Sequence, residues 1–170
     1  MTAMEKRYAD VYRRARAFVE ADAFGDARHL QMLRVSHIHW KNDRPRTDHL
    51  LDYCVHNLDL AAFLFGEVDA VQASAIGTQA YQVTLHYANG AIGGIGFVER
   101  PGAAPEEQVE LTGSAGWMSI RDQSRYRIGS GDRIIEVRDA NFTTAGGDGG
   151  AVTGHRTELQ AFAEALRDGV

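Results

Sequence analysis

Apolar positions recur at three- and four-residue steps through residues 4–22, where Tyr8, Val11, Tyr12, Ala15, Phe18 and Val19 fall on one side of a helix. Gly25 predicts the stop of that helix. Residues 27–38 (ARHLQMLRVSHI) read as a strand with imperfect alternation, and 41–47 (KNDRPRT) as a polar loop. A second helix is predicted from Asp48, a good N-cap, to Phe65, with Gly66 as its C′ residue. The period then changes to two. EVDAVQASAIG reads as a strand, QAYQVTLHYANG puts Tyr81, Val83, Leu85 and Tyr87 on one face, and Asn89-Gly90 marks a hairpin turn into AIGGIGFVER. EEQVELTG, WMSIRD, SRYRIG and DRIIEVRD continue as short strands, with a turn at Gly113-Ser114-Ala115-Gly116. Residues 143–154 form a Gly-rich loop, and HRTELQAFAEALRDG is a last helix with Leu159, Phe162, Ala163 and Leu166 on its buried side. This order predicts an α+β fold, a largely antiparallel open sheet of about six to nine strands with helices on one face.

The second helix carries the candidate chemistry. At about 100° per residue, His56 lies about 40° from Asp52, and Asp59 about 20° to the other side, so the three share one narrow face. The opposite stripe is Leu51, Cys54, Val55, Leu58, Ala62 and Leu64/Phe65, which suits a core. An imidazole beside a carboxylate is a natural proton shuttle, because its pKa lies near neutrality and the carboxylate fixes its tautomer. The competing reading is structural: Asp52 or Asp59 pairs with a loop amide and His56 stands half exposed. His37 and His39 would share a strand face and, with His56 and Asp52, could supply metal donors. No cysteine or third clustered histidine supports that set, and no metal is expected.

Composition narrows the field. One domain is expected from 170 residues. A net charge of −5 argues against a nucleic-acid groove, and Glu5, Asp10, Glu20 and Asp22 offset the cluster of Arg13, Arg14 and Arg16. Cys54 is the only cysteine, which excludes an internal disulfide, fits a cytoplasmic location, and on the apolar side of its helix reads as a core residue. No apolar run approaches the roughly 18 residues of a membrane span. Gly90, Gly93, Gly94 and Gly96 lie in a hairpin and its outgoing strand, so they predict close backbone packing and not a dinucleotide loop. No G-x-S-x-G, Walker or H-E-x-x-H motif is present.

Four stretches in order carry a resemblance. KRYADVYRRARAFVEADAFGDARHLQM resembles a helix that follows a cofactor domain and enters the first sheet strand through a glycine turn. LLDYCVHNLDLAAFLFGEVDAVQA resembles a D-x-x-x-H-x-x-D helix with its following strand, VTLHYANGAIGGI an N-G hairpin, and GHRTELQAFAEALRDG a late helix. Together they resemble the C-terminal domain of the Gfo/Idh/MocA oxidoreductases, relatives of glucose–fructose oxidoreductase and inositol dehydrogenase.

That resemblance implies a substrate-binding and oligomerisation half of an NAD(P)-dependent enzyme acting on a sugar, cyclitol or similar polyol. It makes Asp52 and His56 the catalytic pair, with histidine relaying the hydroxyl proton while hydride moves to nicotinamide. His39 and Asp59 are the candidate substrate contacts, and Asp59 also a residue that anchors the helix. NAD or NADP would be bound by a Rossmann domain missing from this chain, which has no strand–GxGxxG–helix; Glu5-Lys6 runs into Arg7, so the family's Glu-Lys-Pro is missing too. The chain alone is expected to be inactive and to form a homodimer through its sheet. The alternative is a non-catalytic orphan domain that uses the sheet for dimerisation or partner binding, with Tyr81, Val83, Leu85 and Tyr87 lining the contact.

Overall fold

The computed structural model describes residues 4–36, 54–77, 80–100, 102, 104–139 and 153–169. Its strands are β1 (Ala27–Ser36), β2 (Val68–Ile76), β3 (Ala80–Tyr87), β4 (Ile92–Glu99), β5 (Glu106–Gly113), β6 (Trp117–Arg121), β7 (Arg125–Ser130) and β8 (Arg133–Asp139). They form one open sheet of order β2-β3-β4-β1-β5-β6-β7-β8. Every pairing is antiparallel except β1 with β4. The expected α+β architecture is the observed one. The meander, however, is split in two, and β1 sits between the halves, pairing Met32 with Ile95 on one side and with Val109 on the other.

The helices are α1 (Asp10–Val19), α2 (Val55–Phe65) and α3 (His155–Asp168), preceded by a 3₁₀ turn at Glu5–Tyr8. Periodicity predicts one helix over 4–22, but the backbone is extended at Ala9, with φ −69° and ψ 133°. The break is where the start of α3 packs: a Cβ on Gly154 would lie 2.6 Å from the Ala9 nitrogen.

The core lies between α1 and α2 and one face of the sheet. Val11, Tyr12, Ala15 and Phe18 from α1 and Leu60, Ala61, Leu64 and Phe65 from α2 meet Leu30, Met32, Val83, Leu85, Ile95, Phe97, Val109, Leu111, Met118 and Ile120. Phe18, Phe24, Phe65 and Tyr87 form a chain of rings with centroids 5.3, 6.2 and 5.5 Å apart. Val83, Leu85 and Tyr87 do share a face with Tyr81, but it is this buried one. Val83, Leu85 and Tyr87 are buried there, and Tyr81 is half-buried. The face turned away from the helices carries Gln31, Gln82, Thr84, Gly94 and Gln108 instead.

The far end of α3 departs from expectation. Leu159, Phe162 and Leu166 are exposed, at 68%, 40% and 65%. Only the start of α3 docks, through Gly154 and through the buried Glu158, whose Oε1 accepts from the Met4 nitrogen at 2.6 Å. No described element reaches the apolar stripe beyond.

Two turns show local chemistry at work. Gly90 takes φ +84°, and Asn89 beside it accepts from the Ala91 nitrogen at 3.0 Å while its Nδ2 donates to the Phe65 carbonyl at 3.1 Å. The hairpin thus caps the end of α2, where Gly66 at φ +95° ends the helix as expected. At Gly113 a Cβ would come within 2.1 Å of the Phe24 carbonyl oxygen. Gly113→Ala is expected to lower stability by about 1–3 kcal/mol. Urea unfolding should show a lower midpoint at unchanged slope, and an unaltered midpoint would refute this close approach.

Candidate functional site

Three consecutive charged residues of the 3₁₀ turn grip one turn of α2. Glu5 Oε2 lies 3.0 Å from His56 Nδ1. Lys6 Nζ donates to Asn57 Oδ1 at 3.0 Å. Arg7 donates from Nε and Nη2 to the two oxygens of Asp59, at 2.7 and 2.6 Å. Arg7 and Arg16 also lie over the Phe63 ring, and Arg16 Nη1 donates to the Phe63 and Leu64 carbonyls at 2.8 and 3.2 Å. A cation on the last carbonyls suits the negative end of a helix.

The middle pair leads to the one carboxylate on which this arrangement rests. Glu107, on β5, is 1% exposed. It accepts from Lys6 Nζ, from the Tyr12 hydroxyl, from Asn57 Nδ2 at 3.2 Å and from Arg34 Nη1 at 3.4 Å. Burial alone would push its pKa up; the Lys6 and Arg34 charges and the bonds from Lys6 and Tyr12 overcome that and take it down to about 2. Burial pulls the Lys6 ammonium down against the opposing pull of Glu107. Burial and the neighbouring carboxylate together hold the Tyr12 hydroxyl well above its usual value.

This network sets the roll of α2. Asn57 is drawn under the helix with Cys54, Leu60, Ala61, Leu64 and Phe65. The expected apolar stripe is corrected accordingly: Cys54, Leu64 and Phe65 are buried, but Val55, Leu58 and Ala62 are half exposed, and Leu60, Ala61 and the polar Asn57 take their place. His56, Asp59 and Phe63 occupy the flank facing the 3₁₀ turn, and Leu58 the opposite flank.

His56 is half-buried, and its Nδ1 has no well-aligned hydrogen-bond partner: Glu5 is at ion-pair distance but off the ideal line. Burial opposes ionisation of Glu5, yet His56 draws its pKa below the ordinary carboxylate value. Asp59 has both oxygens engaged by Arg7. Asp52, His37 and His39 lie outside the described residues. Among the described residues no group of histidine, cysteine, aspartate and glutamate is arranged to hold a metal.

Helical spacing and motif give no role at this site to Glu5, Lys6 or Glu107. A signal for Glu107 was available, since strand alternation puts it on the same face as Val109 and Leu111, and a carboxylate on a core face needs a cation. Two concavities among the described residues lie elsewhere. One, of about 320 Å³, is lined by Arg121, Arg125, Arg127 and Arg138 on β6–β8. The other, of about 340 Å³, is apolar and runs between Leu58 and β2–β3. Neither includes His56.

Comparison with known proteins gives a consistent picture. The model of the GFO/IDH/MocA C-terminal domain matches residues 12–119. No curated protein is a significant match to the sequence. Among solved structures, a levoglucosan dehydrogenase in complex with NADH superposes with a TM-score of 0.79 at 17% identity, covering 99% of this chain and 57% of that one. An oxidoreductase from Agrobacterium radiobacter in complex with NAD+, L-tartaric acid and magnesium gives 0.75 at 16%, covering 99% and 55%. A dehydrogenase from Chromobacterium violaceum gives 0.76 at 21%, covering 97% and 52%. The chain thus spans little more than half the length of these structures.

Removing Glu107 leaves the buried Lys6 ammonium without its counter-charge, so Glu107→Ala is expected to lose about 3–5 kcal/mol of stability. A carboxylate whose pKa is depressed on folding contributes fully above its unfolded value and less as pH falls toward the folded one. The wild type should therefore lose stability between its ordinary value of 4.5 and about 2. Glu107→Gln should flatten that segment of a denaturation-versus-pH curve, and an identical slope would remove Glu107 from the account.

Proposed function

The chain belongs to the GFO/IDH/MocA family, matching its C-terminal domain, and on that premise we propose that it is the substrate-binding half of an NAD(P)-dependent oxidoreductase acting on a sugar, cyclitol or similar polyol. The observation that carries this reading is His56 on the flank of α2, half-buried and faced by a carboxylate on Nδ1. An imidazole so placed can take the proton of a substrate hydroxyl through Nε2. Asp52, one turn earlier in the sequence, is the second catalytic residue, and His39 is a substrate contact. Asp59, closed by Arg7, anchors the helix.

The described residues do not fit a dinucleotide. They contain no strand–glycine loop–helix unit, and their one parallel strand pair joins β1 to β4 inside an otherwise antiparallel sheet. The redox half of the reaction therefore belongs to a cofactor held by another domain, and this chain alone is inactive. The exposed stripe of Leu159, Phe162 and Leu166 fits that reading, because a contiguous apolar surface is ordinarily covered by a partner. No helix of the described residues is long and apolar enough to cross a membrane. We assign the cytoplasm as the location.

The proposed homodimer uses the sheet face turned away from the helices. Gly94 and Gly96 carry no side chain on that face, so Gln31 and Gln82 lie down over them, which leaves it low enough for a second copy to lie against. Thr84→Arg, at the middle of β3 on this face, should shift sedimentation from dimer to monomer; a monomeric wild type would refute the assembly.

The catalytic part is tested in a polypeptide joining these residues to a nucleotide-binding domain, assayed by NADH or NADPH formation over a panel of polyols and sugars. His56→Ala should lower kcat by about 10²–10⁴-fold, the usual contribution of a general acid–base residue. A loss of less than about tenfold would falsify the role given to His56.

A further inference from the structure

We propose that Glu5 is a positioning residue for His56: its carboxylate holds the proton on Nδ1 and thereby leaves Nε2 unprotonated and turned to the substrate hydroxyl. The inference rests on the proton-relay reading above for its purpose, but its geometry stands apart from it. Glu5 Oε2 is 3.0 Å from Nδ1, the one carboxylate at ion-pair distance among the described residues, and that nitrogen is buried from water with no aligned hydrogen bond of its own. A nitrogen so placed and left without an acceptor would favour the tautomer with its proton on Nε2, which is the wrong one for a base. The contact lies within ion-pair distance but outside hydrogen-bond alignment in the free protein, and catalytic hydrogen bonds are often poorly aligned until substrate binds and tightens them.

The surrounding charges leave this job to Glu5. On the 3₁₀ turn, Lys6 is taken by Asn57 and Glu107, and Arg7 by Asp59. On α2, both oxygens of Asp59 are engaged by Arg7. Glu107 of β5 lies beneath Asn57, with its own four donors. Asp52 falls outside the described residues. The grip of Lys6 and Arg7 on α2 fixes the turn just after Glu5, and the Met4 nitrogen just before it donates to Glu158, so the carboxylate is delivered by a segment held on both sides. This gives Glu5-Lys6-Arg7 a division of labour: two residues hold the helix, and the first sets the state of the histidine.

The test reads the tautomer directly. Two-bond ¹H–¹⁵N correlation spectra of the ¹⁵N-labelled protein at about pH 8, where an ordinary imidazole is neutral, report which ring nitrogen of His56 carries the proton. The wild type should show the Nδ1–H form dominant. Glu5→Ala should reduce the ratio of Nδ1–H to Nε2–H by at least about fivefold, and Glu5→Gln, whose amide oxygen still accepts, should restore most of it. A wild type with the proton on Nε2 overturns the proposal without any variant, so a poorly folded Glu5→Ala protein does not shield it. An unchanged ratio in a folded Glu5→Ala also overturns it. If the tautomer behaves as expected while His56→Ala keeps turnover within tenfold, Glu5 still positions the ring and only the proton-relay reading fails.

Discussion

A carboxylate shut away from water must receive its hydrogen bonds from the fold, and Glu107 takes them from four directions. Lys6 comes from the N-terminal turn, Tyr12 from α1, Asn57 from α2 and Arg34 from β1. Apolar residues of the same volume could fill that space with equal or greater stability, since desolvating an ion pair offsets much of its attraction. An apolar cluster would not specify direction, however. A lysine, a tyrosine and an asparagine that must converge on two oxygens define how the turn, both helices and the sheet sit relative to one another. The surrounding aliphatic and aromatic core supplies the bulk of the favourable free energy, and the buried polar centre selects one packing of it.

The site inherits its geometry from that selection. Because Asn57 must reach inward, its neighbour His56 is left on the flank of α2, level with the 3₁₀ turn. Lys6 has to reach inward as well, which leaves Glu5 and Arg7, on either side of it, available to His56 and Asp59. The alternation inside-outside along Glu5-Lys6-Arg7 matches the one along α2, and the two segments lock by matching. Damage to the hidden carboxylate would therefore be felt at the histidine through rotation of α2, with no residue of the site itself altered.

Much of this was legible in the sequence, and the failures have physical causes. Strand positions from β2 to β8 followed from period-two alternation and from turn residues whose backbone demands are local, such as Asn89-Gly90. Helical spacing puts His56 and Asp59 on one face, and both do lie on the flank that meets the 3₁₀ turn. What could not be read were interactions between residues far apart in the chain. Glu5 and His56 are separated by 51 positions, as are Lys6 and Asn57, and no local propensity connects them. The break at Ala9 arises from Gly154, near the other end of the chain. The buried stripe on α2 departs from the apolar pattern because Asn57 is buried for its amide, which bonds Lys6 and Glu107. On α3 the pattern is apolar but the described structure offers nothing for it to pack against.

The place of β1 between two meanders bears on how the chain reaches its structure. β2, β3 and β4 can zip together from neighbouring turns, and so can β5 through β8, but neither group touches the other except across β1. On the ribosome β1 emerges first and waits for both neighbours: its pairing with β4 spans more than 60 residues and that with β5 about 80. During synthesis it is a strand with two bare edges, Leu30 and Met32 on its core face and no sheet yet to join. The polar and charged residues interleaved along it, Arg28, His29, Gln31 and Arg34, then act as gatekeepers that keep the nascent segment from pairing with another copy of itself. The same composition that makes its alternation look imperfect as a central strand suits it to that interval.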